Sequence, residues 1–203
     1  MKDGMEGTPN YIDWIISQVP ENGKVAVNAL ATSNMNWEIL EQKLIDKKIA
    51  VVDAPLLEEI WTNRNPDAPK NPVFVHPVER AGKSVAEKLN DIRSKMEEAG
   101  ATVHIISTLD DIAWTLNLRG SDVQSNPVFL SYIILTKNDA ELFVDLEKLT
   151  VDARKQLDEA EVKMRPYEDF YTALGTIKNE KILISPNSNQ SIFEHLKASN
   201  TFI

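Results

Sequence analysis

Cysteine is absent from this 203-residue chain, which excludes disulfides, a thiolate metal cage and a thiol nucleophile, and fits a reducing compartment. Histidine is scarce. His76, His104 and His195 are the whole set, and no pair stands four residues apart as the two-histidine helical zinc pattern requires. Basic residues are outnumbered, with 22 Lys and Arg against 31 Asp and Glu and a formal net charge of -9. A nucleic-acid surface needs clustered cations to neutralise phosphates, so no nucleic-acid partner is expected. No apolar run reaches the roughly 18 residues of a membrane span, and the stretch from Met1 to Glu6 has no apolar h-region. The expectation is a cytoplasmic protein with no membrane partner. A Gly-x-Ser-x-Gly nucleophile elbow is also missing. What remains is 42% hydrophobic and 26% charged, an ordinary globular composition with room for one large domain or two small ones.

The apolar periodicity alternates between strand and helix. Thr8-Pro9 offers an N-cap and a first-turn proline for a helix from Tyr11 to Gln18, with Ile12, Ile15, Ile16 and Val19 at helical spacing. Lys24 to Asn28 reads as a strand, Trp37, Leu40, Leu44 and Ile45 mark a helix face, and Ile49 to Asp53 reads as a second strand. That β-α-β order predicts a parallel pair. A short helix is expected around Leu56 to Trp61. Asn63 to Pro72 then carries three of the ten prolines, which places the main boundary there and divides the chain into 1–72 and 73–203. Ser84-Val85-Ala86-Glu87 is a capping box opening a helix that ends at Gly100. Thr102–Ser107 predicts a strand, Leu109–Asn117 a helix, and Val128–Leu135 with Ala140–Asp145 a hairpin across Lys137-Asn138-Asp139. Glu161–Met164 and Lys181–Ser185 read as strands, Tyr167–Leu174 and Ser191–Lys197 as helices. The fold class expected is α/β, a mixed β-sheet with flanking helices.

Few residues look chemical. Gly82-Lys83-Ser84 follows a possible strand, Val73 to His76, and precedes a helix, where a phosphate loop would end. That loop needs a glycine where Pro77 stands, and proline supplies no NH, so helix capping is the better reading. The pairs Asp110-Asp111, Glu58-Glu59 and Glu97-Glu98 cannot aim at one point from a helix. Asp110 and Asp111 suit the positive end of a helix starting behind Thr108. The polar loop after that helix is the densest set of donors and acceptors, with Trp114 and Leu118 expected to anchor it in the core and Gly120 expected to supply an unusual φ. Two readings of the loop stay open. In one, Arg119 and Asp122 pair locally and Asn126-Pro127 turns the chain into the next strand. In the other, Trp114, Arg119, Asp122 and Asn126 form an interface or an active-site wall toward a neighbouring domain or subunit.

The run Asp110-Asp111-Ile112-Ala113-Trp114, Asn117-Leu118-Arg119-Gly120-Ser121-Asp122 and Asn126-Pro127-Val128 resembles the second-domain signature of the cytosolic three-domain aminopeptidase P family. Thr8-Pro9, Asp13-Trp14, Val19-Pro20-Glu21, Lys24 to Val27, Ile60 to Arg64 and Pro127 to Tyr132 look like further landmarks in the same order. The resemblance implies a ribonuclease-H-like creatinase/prolidase N-terminal fold. It makes residues 1–72 the later part of a first such domain and 73–203 the second. In that family an N-terminal residue preceding proline is released by metal-activated water, on two divalent ions, typically manganese. Those ions sit in a C-terminal pita-bread domain, on two Asp, two Glu and one His expected after Ile203. The resemblance therefore implies no catalytic residue and no metal ligand in this chain. It implies a scaffold and active-site wall whose partners are its own catalytic domain, a second subunit in a homodimer, and the proline-containing peptide of the parent hydrolase. A free-standing creatinase-like binding or assembly module without enzymatic activity is the alternative. Against it, a lone β-α-β piece exposes sheet edges and should self-associate.

Overall fold

The computed structural model describes residues 5–54, 56, 60–61, 63 and 68–203. They fall in two compact units, one built from the chain up to Asn65 together with Pro186–Phe193, the other from Pro66–Ser185 together with Glu194–Ile203. The short helix expected near Leu56 to Trp61 and much of the proline-rich stretch lie outside the described residues.

In the first unit, helix α1 (Tyr11–Gln18) starts at Asn10, whose side chain accepts the Asp13 amide at 2.9 Å. Thr8 therefore does not cap it: an Asn side chain two residues later satisfies a free first-turn NH instead. Strands β1 (Lys24–Val27) and β2 (Ala50–Asp53) pair in parallel, as their β-α-β order predicts, through α2 (Asn34–Leu44). Leu40, Leu44 and Ile49 form the buried centre of this unit, with Ile12, Ile15 and Ile16 of α1 and Val19 at its C-cap packed on it. The returning segment belongs to the same unit by direct bonds. Asn34 N donates to Ser188 O at 2.9 Å, and the buried Asn34 side chain donates to Gln190 Oε1 at 2.9 Å.

The second unit carries a six-stranded mixed sheet. Its strands are β4 (Val103–Ile106), β6 (Ser131–Thr136), β7 (Ala140–Val144), β8 (Val162–Pro166), β9 (Lys181–Ile184) and β10 (Thr201–Phe202), in the order β10-β9-β4-β6-β7-β8. The hairpin of β6 and β7 turns at Thr136 and Asp139. β4 is antiparallel to β6 but parallel to β9, which makes the sheet mixed. A separate two-residue ribbon, β3 (Phe74–Val75) with β5 (Leu118–Arg119), lies outside it and is shorter than the strand expected from Val73 to His76. Helix α3 is a single turn, Val78–Ala81, closed by Gly82 in the left-handed conformation. Helix α4 (Val85–Ala99) opens with the Ser84/Glu87 capping box and ends at Gly100, φ 73. Next come α5 (Leu109–Thr115), α6 (Val151–Glu159) and α7 (Phe170–Leu174), while α8 (Gln190–Leu196) begins in the segment that belongs to the first unit. The helix expected from Tyr167 begins instead as a 3₁₀ turn over Tyr167–Asp169. Leu89 and Met96 of α4, Ile112 of α5, and Leu157 of α6 share one core with Ile133, Leu142 and Val144 of the sheet. Fully burying each such side chain contributes about 1.5 to 3 kcal/mol, and this core is what fixes the end of α5 and the loop beyond it.

Candidate interface site at the loop after helix α5

The signature stretch begins as a helix end whose carbonyls must find partners, because the last turn has no further amides to offer. Two cations supply them. Arg119 Nη1 donates to Ala113 O and Leu118 O, both at 2.8 Å, and Lys88 Nζ of α4 donates to Trp114 O at 2.8 Å. Both charges suit the negative end of the helix. Asn117 then leaves the helix with φ 49, a conformation that asparagine tolerates better than most residues. Its amide is used on both sides, accepting from Lys88 Nζ at 2.7 Å and donating to Lys83 O at 2.8 Å. From α6, Gln156 Nε2 donates to Leu116 O at 2.8 Å, and His76 N donates to Asn117 O at 2.7 Å. Asn-Leu-Arg is thus a helix termination built from the Lys88 and Gln156 side chains of two other helices, the Asn117 side chain and Arg119 of the ribbon.

Lys88 is buried, with its ammonium 4.2 Å from the centre of the Trp114 ring. Burial lowers its pKa, and the nearby Arg119 charge lowers it further. Trp114 itself is 48% exposed and does not anchor the loop in the core. The buried anchors are Leu116, Leu118 and Phe129, while Trp114 is stacked against the Lys88 ammonium and remains about half exposed.

Beyond Arg119 the chain forms a narrow loop. Gly120 N donates to Pro127 O at 3.3 Å and Asp122 N to Val128 O at 3.1 Å, while Asn126 N donates to Val123 O at 3.2 Å across a tip where Ser125 has φ 62. Gly120 is not in the left-handed region. Its lack of a side chain matters because an added Cβ would lie 2.8 Å from Phe129 Cβ and 3.0 Å from Val128 O. Asn126 does sit at the turn, and its amide reaches Asp110 Oδ1 at 3.3 Å.

Arg119 and Asp122 do not pair. Asp122 Oδ2 accepts the Leu130 amide at 2.7 Å and forms an ion pair with Lys148, their side chains 0% and 2% exposed. Asp122 Oδ1 is buried with no hydrogen-bond partner among the described residues. Asp122 is therefore a strut that ties the loop to the turn over Leu146–Lys148, and of the four candidates it is the one whose carboxylate is withdrawn from solvent. Trp114 and Arg119 share one region; Asp122 and Asn126 serve the loop itself. Lys88, Asn117 and Lys148 are the residues the sequence reading missed. Lys88 had a signal, since it falls three residues after Val85 on the apolar face of α4. Lys148, between Leu146 and Leu149, had none.

The histidines belong to no metal-binding group among the described residues. His104 is half-buried on β4 with Nδ1 2.8 Å from Leu183 O. Burial holds its pKa down, against the Leu183 hydrogen bond and the Asp111 charge. The His195 ring lies 5.1 Å from that of Tyr171. Among the described residues no three His, Asp or Glu side chains are grouped so as to hold a metal ion, and they do not fit a two-metal centre.

The chain is 40% identical over 202 residues to a protein named Probable Xaa-Pro aminopeptidase P from Arthroderma gypseum, covering 98% of this chain and 32% of that protein. It is 32% identical over 205 residues to Aminopeptidase P2 from Arabidopsis thaliana, covering 98% and 29%. The chain thus spans about a third of the length of the curated relatives it matches. Among solved structures it superposes with a TM-score of 0.89 on an X-prolyl aminopeptidase from Caenorhabditis elegans, described as a cytosolic enzyme with a di-nuclear active site, at 23% identity and covering 100% of this chain and 34% of that one. That likeness shows the fold. Residues 64–203 match the Creatinase/Prolidase N-terminal domain, and the chain belongs to that family.

Proposed function

We propose that this chain is the non-catalytic N-terminal region of a metal-dependent Xaa-Pro aminopeptidase, a hydrolase that releases an N-terminal residue preceding proline. The observation that carries the reading is the match of 98% of this chain to only 32% of a relative bearing that name. In this reading residues 1–72 are the later part of a first creatinase-like domain and 73–203 the second. The chemistry, on two divalent ions for which manganese is the candidate, belongs to a catalytic domain outside these residues. The described residues offer those ions no ligand set.

The role of this region is then positional. Walls packed around a cleft restrict entry to a free peptide N-terminus and hold the peptide in one orientation, and both effects act on rate without chemistry in the wall. Trp114 and Arg119 are the side chains offered to the catalytic domain or to a second subunit of a homodimer, while Asp122 and Asn126 hold the loop in shape behind them. The cytoplasm is the proposed location.

The test is hydrolysis of a peptide with proline in second position, with manganese present. The 203-residue chain should release no N-terminal residue, and a longer polypeptide joining it to the downstream region should. Turnover by the short chain alone, or none by the longer one, would refute the reading.

A further inference from the structure

The ribbon of β3 and β5 has one buried and one open face. Val75 and Leu118 pair and point to the core, Leu118 being fully buried. Phe74 pairs with Arg119 on the other side, where directly opposed residues share a face, and His76 follows Phe74 on that face by the two-residue period. Arg119 reaches from there to the end of α5, beside the exposed Trp114. Arg80, on α3, is exposed. The turn that carries Arg80 starts two residues after His76, so chain connectivity brings Arg80 to the same end of the ribbon as Arg119, and His76 is held below its ordinary pKa first by desolvation and then by the Arg119, Arg80 and Lys88 charges.

In a chain of net charge -9, an unneutralised cluster of this kind is unexpected. The ion pairs among the described residues employ Lys48, Lys70, Lys83, Lys95, Lys148, Lys155, Lys163 and Lys197, and none involves His76, Arg80, Lys88 or Arg119. Arg119 uses only Nη1, which leaves Nε and Nη2 without a partner among the described residues. Beside these donors stand Phe74, Val78 and Trp114, 49%, 46% and 48% exposed. Trp and Arg are the residue types enriched at protein-binding centres, and here Trp114 and Arg80 are exposed while Arg119 is half-buried. A small-anion site would need an enclosing cavity. The clefts that take in Trp114 and Val78 include none of His76, Arg80 and Arg119 in their walls.

We infer that the open face formed by Phe74, His76, Arg80, Trp114 and Arg119 docks an acidic polypeptide segment, its carboxylates meeting the two guanidinium groups and its apolar side chains meeting Phe74 and Trp114. The inference rests on reading Trp114 and Arg119 as interface residues, and it gives their partner a chemistry. Carboxylate–guanidinium pairing can be bidentate and specific.

The test is isothermal titration of the 203-residue protein with an oligoglutamate peptide, its oligoglutamine counterpart, a single-stranded oligothymidylate and inorganic phosphate. Oligoglutamate should bind and oligoglutamine should not. Affinity should drop about fivefold in Arg80→Gln and in Arg119→Gln, with partial recovery in Arg119→Lys. It should also fall steeply as the screening length shrinks from about 30 Å to about 3 Å with added salt. Arg80 is exposed, so Arg80→Gln keeps the test alive even if Arg119→Gln unfolds. Equal binding of both peptides, unchanged affinity in Arg80→Gln, full competition by phosphate, or tighter binding of oligothymidylate would each overturn the proposal. So would self-association lost in Arg80→Gln with no oligoglutamate binding, which would assign the face to a second copy. The titration needs no peptidase turnover, so its failure refutes the acidic partner and leaves the peptidase assignment to its own assay.

Discussion

Removing the Asp122 carboxylate should be among the costliest single changes in the second unit. Asp122→Ala leaves the Lys148 ammonium, 2% exposed, buried without its counter-ion, and leaves the Leu130 amide without an acceptor. Breaking a buried pair from one side costs about 3 to 5 kcal/mol, because the surviving charge cannot regain its hydration. At the 2 to 4 °C per kcal/mol typical of a chain this size, the melting temperature should fall by roughly 6 to 20 °C. Lys148→Met should cost a similar amount by stranding the carboxylate. The double variant Asp122→Ala with Lys148→Met removes both charges at once and should cost less than the two singles together, by a coupling of about 2 to 3 kcal/mol. Urea unfolding followed by circular dichroism and tryptophan fluorescence measures all four corners of the cycle. If Asp122→Ala costs less than about 1 kcal/mol, or the double variant costs the sum of the singles, the strut argument is wrong.

Gly120→Ala should destabilise by about 1 to 3 kcal/mol in the same unfolding assay, since the new Cβ would meet Phe129 Cβ at 2.8 Å and backbone must move. Ser84→Ala removes the reciprocal cap of α4 and should cost about 1 kcal/mol, a loss that Ser84→Asp largely restores. His104 should titrate below its ordinary value by NMR. Because its folded pKa is depressed, the stability linked to it is complete above the unfolded value of 6.5 and is lost as pH falls through the folded one. Replacing His104 by Phe should therefore flatten the loss of stability on acidification below 6.5, and an unchanged pH profile would show that His104 is not its source.

What could be read from the sequence was local, and what could not was pairing across distance. The Ser84/Glu87 box lies within a few residues, as do the left-handed Gly100 and the hairpin at Lys137 to Asp139, so propensity and turn chemistry were enough. The Arg119 and Asp122 pairing failed because nearness in sequence is a poor guide inside a loop whose carboxylate turns inward, to a lysine 26 residues away. Trp114 was misplaced for a related reason. Its size and helical position suggest burial, but Leu116 and Leu118 fill the core first and a lysine takes its inner face. The cap expected at Thr8 lies two residues on, at Asn10, because the Asn10 side chain is the one that reaches the Asp13 amide.

The return of Pro186–Phe193 to the first unit has a consequence in time. A ribosome adding about 5 to 20 residues per second exposes the first unit's strands and its helices α1 and α2 for roughly 6 to 24 s before the closing segment has been made. During that interval Asn34 lacks both Ser188 and Gln190, and the unit cannot settle however well its own sequence is patterned. The amino end of this chain is synthesised early and finished late, so the second unit is made as far as Ser185 while the first still waits.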